Sequence, residues 1–207
     1  MEPDGRRTHW ETVYVTKAEN EVSWFQDNPS PSIEAIALTG ATPASSVIDI
    51  GGGASRLVDR LLAQGFVDVT VLDLSAAALD TAKARLGRAA GKVRWLVADA
   101  TTWEPSASYD VWHDRAAFHF LTGESDRAAY VGRLDRALKP GGHAIIATFA
   151  LDGPERCSGL PVHRYDAESL GRALGPAFKL IDASRHEHAT PWDARQAFQF
   201  SVFRREG

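Results

Sequence analysis

The sequence predicts an α/β fold: a doubly wound, mainly parallel seven-stranded sheet with an antiparallel edge strand and an N-terminal helical and aromatic cap. Short apolar runs alternate along the chain with segments whose apolar residues recur at helical spacing, which is typical of a parallel sheet covered by helices. The last two apolar runs follow each other without a helical pattern between them, so we expect them to pair antiparallel at one edge. The 207 residues suit one domain, 1–207, with a lid segment over 1–31 and a core over 32–207.

The first core element is a strand over 47–50, where an apolar run is interrupted only by Asp49. It is closed by Gly51, Gly52 and Gly53, which indicate a tight turn. From Ser55 the apolar positions recur at helical spacing until a glycine at a C-cap position, so a helix should follow the turn.

The remaining elements repeat this alternation. Ser75 is predicted to cap the second helix of the core. The predicted strands are 67–73, 93–97, 109–112, 143–149, 178–183 and 197–203, and the predicted helices are 32–38, 76–86, 126–138 and 166–174.

Composition excludes several classes of protein. There are 23 Lys plus Arg against 27 Asp plus Glu, a net charge of −4, which argues against a nucleic-acid binder. The longest mainly apolar stretch, 144–151, is far shorter than the roughly 20 residues that cross a bilayer, so we expect no membrane partner. The single cysteine, Cys157, permits neither an internal disulfide nor a thiolate metal cluster. A secretory signal has an apolar run after its basic residues, and none follows Arg6 and Arg7. We therefore expect a cytoplasmic location.

The glycine turn is the first candidate binding site, because ligands bind beyond the carboxyl ends of parallel strands. Gly51 and Gly53 carry no side chain to block a ligand, and Asp73 ends the second strand about twenty residues later, where a carboxylate accepts hydrogen bonds from a ribose. Arg56 stands where a dinucleotide fingerprint has its third glycine, and Asp49 would repel a pyrophosphate but attract an ammonium group. These features favour S-adenosylmethionine over NAD. The alternative is a plain turn flanked by hydrogen-bonded carboxylates.

Four motifs together resemble the class I, seven-strand S-adenosylmethionine-dependent methyltransferases. They are 47–53, 71–75, 97–100 and 138–142, in the family's order and spacing. The resemblance implies that the glycines line the methionine end of the cofactor and that Asp73 lies at the ribose. It also implies that Asp99, with Ala100, lies at the adenine, whereas an N-cap for the following turn is the alternative role of Asp99. The predicted cofactor-binding residues are Asp49, Gly51, Gly53, Ser55, Asp73, Leu74, Asp99 and Ala100.

A second, partial resemblance concerns the fourth strand. The segment 109–117 is similar to the Trp-Asp-Arg-Gly segment of thiopurine methyltransferases and to a related segment of eukaryotic lysine methyltransferases, although Ala116 replaces the glycine and His113 is inserted. Both families place an aromatic lid before the first strand. The predicted lid and substrate residues are Trp10, Tyr14, Trp24 and Phe25, for which simple core packing is the alternative.

Methyl transfer chiefly requires alignment and exclusion of water, so a general base is optional. If the acceptor must lose a proton, His113 and His119 are the candidate bases, and Arg115 is a candidate for steering an anionic acceptor. Structural hydrogen bonds for the histidines, and an ion pair for Arg115, are the alternatives. His186 and His188 alone are too few for a metal site, and none is predicted.

The sequence thus favours methyl transfer from S-adenosylmethionine to a small-molecule nucleophile, with sulfur or another soft atom slightly preferred. A protein-lysine N-methyltransferase is the nearest alternative. A catalytically inactive, cofactor-binding regulatory protein is the alternative from another class. The acceptor, the need for a base, the oligomeric state and the pathway are left open.

Overall fold

The computed structural model describes residues 3–207 as a seven-stranded sheet with helices on both faces. The sheet and a small hairpin are formed by β1 (Ser46–Ile50), β2 (Asp68–Asp73), β3 (Val93–Val97), β4 (Tyr109–Arg115), β5 (Leu138–Phe149), β6 (Arg156–Cys157), β7 (Leu160–Pro161), β8 (Phe178–Ala189) and β9 (Arg195–Arg205). The helices are α1 (Pro3–Thr16), α2 (Ser30–Leu38), α3 (Leu57–Ala63), α4 (Ala76–Leu86), α5 (Glu124–Ala137) and α6 (Ala167–Leu174).

The sheet has the order β3-β2-β1-β4-β5-β9-β8. Neighbouring strands run parallel from β3 to β5, whereas β9 is antiparallel to both β5 and β8. This confirms the predicted fold class. The strand order reverses between β1 and β4, and the loops that follow these two strands therefore diverge and leave a crevice at the carboxyl edge.

Several element boundaries differ from the sequence prediction. The strand β5 begins at Leu138, not at His143, because Leu138 pairs with Tyr109 before a register shift brings His143 opposite Val111. The intervening Lys139 forms an ion pair with Asp110 (Nζ to Oδ2, 2.9 Å). The strands β4, β8 and β9 are longer than their apolar runs, and α3 begins two residues after Ser55. Backbone pairing extends these strands beyond the residues whose side chains are apolar.

Both faces of the sheet are packed. On one face Trp112, Tyr130 and Phe203 belong to a buried cluster that includes α5 and α6, and on the other Val111 and Ile145 pack with α2 and α3. Burial on both faces explains why the central strands are almost continuously apolar. No helix among residues 3–207 is long and apolar enough to cross a membrane.

The N-terminal segment lies across the carboxyl edge of the sheet. Trp10 on α1 packs edge-on against Phe120, with ring centroids 4.9 Å apart. Glu11 accepts a hydrogen bond from Ser75 (Oγ to Oε2, 2.8 Å) at the start of α4. A negative side chain beside free N–H groups is favourable there, so Glu11 fastens α1 to the start of α4.

Candidate active site

A cavity with about 820 Å³ of empty space, part of it open to solvent, lies between the N-terminal segment and the carboxyl ends of β1, β2 and β4. Its walls combine aromatic rings from the N-terminal segment with the loops after these strands. They include Trp10, Tyr14, Trp24, Gly51, Asp73, Leu74, Asp99, Ala100, Arg115, Ala116, Phe120 and Cys157. A second cavity of about 580 Å³ adjoins it and shares Tyr14, Trp24, Gly51 and Arg115 with it.

Asp73 lines the large cavity at the end of β2, and Gly53 packs against it. Asp73 accepts a hydrogen bond from the backbone N–H of Ser75 through Oδ1 (2.8 Å), while its Oδ2 faces Gly53. A Cβ on Gly53 would lie 2.8 Å from Asp73 Oδ2, and its φ of +41° also favours glycine. Burial, with repulsion from Asp49 and Glu11, raises the pKa of Asp73 to about 7 against the opposing Ser75 hydrogen bond.

Asp49 belongs to a buried hydrogen-bonded chain in the wall of the second cavity. His113 Nδ1 lies 2.7 Å from Asp49 Oδ1, and His113 Nε2 lies 2.9 Å from Ser32 Oγ on α2. The other carboxylate oxygen, Asp49 Oδ2, is buried beside Gly52 and has no hydrogen-bond partner among the described residues. One negative oxygen is therefore available for a cationic group.

Asp99 is held by residues on two sides of the large cavity. Its Oδ1 accepts from the backbone N–H and the hydroxyl of Thr101 (2.7 and 2.6 Å), which is the turn-capping role considered as an alternative. Its Oδ2 accepts from Arg6 NH2 of α1 (3.0 Å), while Arg6 NH1 contacts Asp126 of α5 (2.6 Å). Arg6 thus ties the N-terminal helix to this end of the cavity.

The predicted lid residues meet over the cavity as a cluster of rings. Trp24 packs edge-on against Trp10 with centroids 5.5 Å apart, and its Nε1 donates to Tyr14 Oη (3.1 Å). Phe25 instead lines the second cavity and packs under Arg56, whose guanidinium carbon lies 5.4 Å from the ring centroid. Three of the four predicted rings therefore cover the large cavity, and they also pack against one another.

Arg115 stands at the end of β4 between the two cavities. Its NH1 donates to the backbone carbonyl of Trp24 (2.9 Å), and its guanidinium carbon lies 4.8 Å from the Phe198 ring centroid. Nε and NH2 are buried and have no partner among the described residues. Asp114, the neighbouring carboxylate, is not paired with Arg115 and instead accepts from Tyr130 and from the backbone of 117 and 118. Burial lowers the pKa of Arg115 to about 10, which leaves it protonated at neutral pH.

The two histidines proposed as bases are not free at the cavity surface. His113 is 2% exposed and has both ring nitrogens in hydrogen bonds. His119 is fully buried and does not line either cavity; burial and the nearby Arg115 lower its pKa to about 3. Neither position supports a general-base role. Among the described residues no group of three or more metal-ligating side chains occurs.

Five of the eight predicted cofactor residues line the large cavity, namely Gly51, Asp73, Leu74, Asp99 and Ala100. Asp49 lines only the second cavity, and Gly53 lines neither but stands beside Asp73. Ser55 lines only the second cavity, where its Oγ accepts from the backbone N–H of Leu57 (3.1 Å). Sequence reasoning missed Arg6, Glu11 and Ser32, which contact the site from elements distant in the chain. A polar residue on a helix gives no sequence pattern that identifies its partner. The only sequence signal for these three residues was therefore their location, in the N-terminal segment or at the start of α2.

The chain is similar in sequence to known methyltransferases. Residues 47–142 match the family described as a methyltransferase domain. The chain is 31% identical over 185 residues to trans-aconitate 2-methyltransferase of Methylobacterium radiotolerans, covering 81% of this chain and 65% of that protein. It is 30% identical over 155 residues to probable thiol methyltransferase 2 of Arabidopsis thaliana, covering 73% of this chain and 65% of that protein. The chain therefore spans just under two thirds of each relative's length.

A solved structure shows the same fold. The 1,6-didemethyltoxoflavin N1-methyltransferase of Burkholderia thailandensis, with bound 1,6-didemethyltoxoflavin and S-adenosylhomocysteine, superposes with a TM-score of 0.70 at 20% identity. The match covers 100% of this chain and 92% of that one. At this level of identity the likeness concerns the fold.

Proposed function

We propose that the chain is a member of the class I S-adenosylmethionine-dependent methyltransferases and that it transfers a methyl group to a small-molecule nucleophile. The observation that carries the proposal is the carboxylate of Asp73, whose Oδ2 faces Gly53, in a cavity that the N-terminal aromatic rings cover. A buried acceptor oxygen of this kind suits the hydroxyl groups of a ribose.

The residues at the site fit the cofactor at both of its ends. Asp73 would hold the ribose hydroxyls, and Leu74 and Ala100 would flank the adenine, with Asp99 at its edge. The orphaned Oδ2 of Asp49 would receive the ammonium group of the amino-acid end. When bound, S-adenosylmethionine supplies a methyl group made electrophilic by the positive sulfur.

The chain's own contribution is then alignment and the exclusion of water. Trp10, Trp24 and Phe120 form the apolar wall nearest Ala116, and they would hold an acceptor in line while shielding it from solvent. Tyr14 lies in the same wall, and burial raises the pKa of its hydroxyl, so it stays protonated. The described residues of the cavity offer no free histidine as a base.

This arrangement favours an acceptor that is already ionised or easily ionised near neutral pH. A thiol meets this requirement better than an alcohol or an alkyl amine, because a larger fraction is in the nucleophilic form. The relative named as a probable thiol methyltransferase supports the same choice. We therefore propose sulfur as the preferred acceptor atom and, because the chain has a single cysteine, the cytoplasm as its location.

A protein-lysine acceptor is the second candidate, suggested by the likeness of 109–117 to lysine methyltransferases. A peptide acceptor needs an open groove that reaches the reacting centre. Here Glu11 and Arg6 hold α1 across the site, and the aromatic wall suits a compact acceptor. The geometry therefore favours the small molecule.

The test is incubation with methyl-labelled S-adenosylmethionine and parallel sets of thiols, amines, phenols and a lysine-containing peptide. We expect labelled product from a thiol, and much less from Asp73→Asn at a cofactor concentration below saturation. Labelling of the peptide alone would support the lysine methyltransferase. Tight binding of S-adenosylhomocysteine with no labelled product would support the inactive regulatory protein, and failure to bind it would refute the cofactor assignment.

A further inference from the structure

Arg115 is a cation in the wall of the large cavity whose hydrogen-bonding capacity is only partly used. A guanidinium has five N–H donors, and among the described residues Arg115 makes one hydrogen bond, from NH1 to the carbonyl of Trp24. Nε and NH2 are buried without a partner among the described residues. Buried polar groups are nearly always paired, and an orphaned pair of donors on one edge of a guanidinium therefore indicates a missing anionic ligand.

Among the described residues no carboxylate is hydrogen-bonded to Arg115, although the nearby Asp49 acts to raise its pKa. Asp114 accepts from Tyr130 Oη (2.6 Å) and from two backbone N–H groups. The Oδ1 of Asp49 accepts from His113, and its Oδ2 faces Gly52. The Cys157 thiol supplies no anion at neutral pH, because burial raises its pKa to about 11. The charge on Arg115 is therefore not neutralised by a hydrogen-bonded carboxylate among the described residues.

The surroundings of Arg115 place it on the acceptor side of the cavity. Its guanidinium lies over Phe198, which belongs to a cluster with Cys157 and, at the cavity wall, with Trp24 and Phe120. Asp73 and Asp99, the carboxylates proposed for the ribose and the adenine, line the same cavity. Apolar rings around one cation suit a compact apolar molecule that carries one negative group.

We propose that Arg115 binds a carboxylate group of the methyl acceptor, so that the enzyme selects small apolar acceptors that are also carboxylic acids. This inference rests on the proposed function and specifies its substrate class. The planar fork of Arg matches the two oxygens of a carboxylate, and Nε with NH2 forms one edge of that fork. The nucleophilic atom is a different group of the same molecule, held under Trp10 and Phe120.

The test measures binding to protein saturated with S-adenosylhomocysteine, with matched acids and amides as probes. Benzoate is compared with benzamide, and phenylacetate with phenylacetamide, by calorimetry. The members of each pair have nearly the same shape, so a preference for the acid reports the charge. In the unaltered protein we expect at least one acid to bind about 10- to 100-fold more tightly than its amide.

Three variants make the result specific. Arg115→Met keeps an apolar side chain over Phe198 and should abolish the preference, and Arg115→Lys should retain part of it because one positive charge remains. Arg172→Met removes an exposed guanidinium on α6 that is paired with Glu168, and it should leave the preference intact. Binding of S-adenosylhomocysteine verifies that each variant is folded.

The carboxylate that Arg115 binds could belong to the acceptor or to the amino-acid end of the cofactor. Comparing S-adenosylhomocysteine with 5′-methylthioadenosine, which lacks the amino-acid end, distinguishes the two. We expect Arg115→Met to change the affinity for neither by more than about threefold. Weakened binding of S-adenosylhomocysteine alone would assign Arg115 to the cofactor and overturn the proposal. Equal binding of acids and amides, a preference that survives in Arg115→Met, or no binding of any probe would overturn it too. Failure of the unaltered protein to bind S-adenosylhomocysteine would overturn the proposed function itself, and this inference with it.

Discussion

His113 on β4 and Asp49 on β1 are joined by a buried hydrogen bond of 2.7 Å, and the far side of the imidazole is joined to Ser32 at 2.9 Å. The two strands are adjacent and parallel, with Asp49 and His113 directly opposite in register. The histidine thereby fixes the rotamer of the aspartate and directs its unpaired Oδ2 towards Gly52. We interpret His113 and Ser32 as positioning residues for Asp49.

This interpretation predicts a selective loss of affinity in His113→Asn. Binding of S-adenosylhomocysteine should weaken about 10-fold, since Asp49 loses a charge-assisted hydrogen bond and its orientation, whereas 5′-methylthioadenosine, which has no ammonium group, should bind as before. Calorimetry with both ligands measures the ratio. His163→Asn, at an exposed position, serves as the control. Equal weakening of both ligands would mean that His113 only stabilises the fold.

Asp73→Ala should weaken binding of S-adenosylmethionine by about 1–3 kcal/mol, the usual cost of losing a charge-assisted acceptor. The carboxylate of Asp73, which lines the cavity, is the group that the ribose would engage. Asp80→Ala, on the exposed side of α4, is the matched control. Unchanged affinity in calorimetry would refute the ribose assignment.

The pKa of Asp73 also predicts how stability varies with pH. In the folded protein burial raises this pKa to about 7, and repulsion from Asp49 and Glu11 acts in the same direction. The hydrogen bond from the Ser75 N–H opposes the rise, and the Tyr14 hydroxyl also faces the carboxyl group. The unfolded chain loses the proton near its ordinary pKa, so ionisation of Asp73 lowers the free energy of unfolding as the pH rises from about 4 to 7. Asp73→Asn should therefore be more stable than the unaltered protein at pH 8 and nearly equal to it at pH 4. Chemical denaturation at both values measures this, and a difference independent of pH would contradict it.

Tyr130 completes a buried network at the end of β4. Its hydroxyl donates to Asp114 (2.6 Å) and accepts from Trp112 Nε1 (2.8 Å). Tyr130→Phe should lower the free energy of unfolding by about 1.5–3 kcal/mol, because a charged acceptor and an indole donor lose their partner. Tyr165 provides the control, since its buried hydroxyl has no partner among the described residues. Tyr165→Phe should be neutral or stabilising, and equal losses in the two variants would contradict this account.

Deleting residues 1–28 should preserve the sheet but impair turnover. The deletion removes Trp10 and Trp24 from the cavity wall, together with the contacts of Arg6 and Glu11. Circular dichroism reports the sheet and a methyl-transfer assay reports turnover. Full activity in a folded truncated chain would refute the lid. Glu11→Gln is a milder variant, and it should speed the release of the cofactor product without changing the spectrum.

The sequence was sufficient to predict the fold class because the alternation of apolar runs and helical spacing is local. It also placed Asp49 and Asp73 at the ends of their strands, where the structure has them. The contacts between distant segments could not be predicted, since Arg6 reaches Asp99 across 93 positions and Ser32 reaches His113 across 81. The proposed roles of His113 and His119 as bases followed from nearness to a strand end, which says nothing of burial. Only packing showed that one histidine is held on both sides and the other lies beneath the surface.

Cys157 is the only cysteine in the chain, so the rate at which it is alkylated can report the opening of the N-terminal segment. The thiol is 5% exposed, and burial raises its pKa to about 11, so alkylating reagents meet little reactive thiolate while the rings above it stay in place. The rate of alkylation then reports how often α1 and Trp24 move aside. Occupancy by cofactor and acceptor should slow that rate, which gives a readout of ligand binding even for molecules that never become methylated.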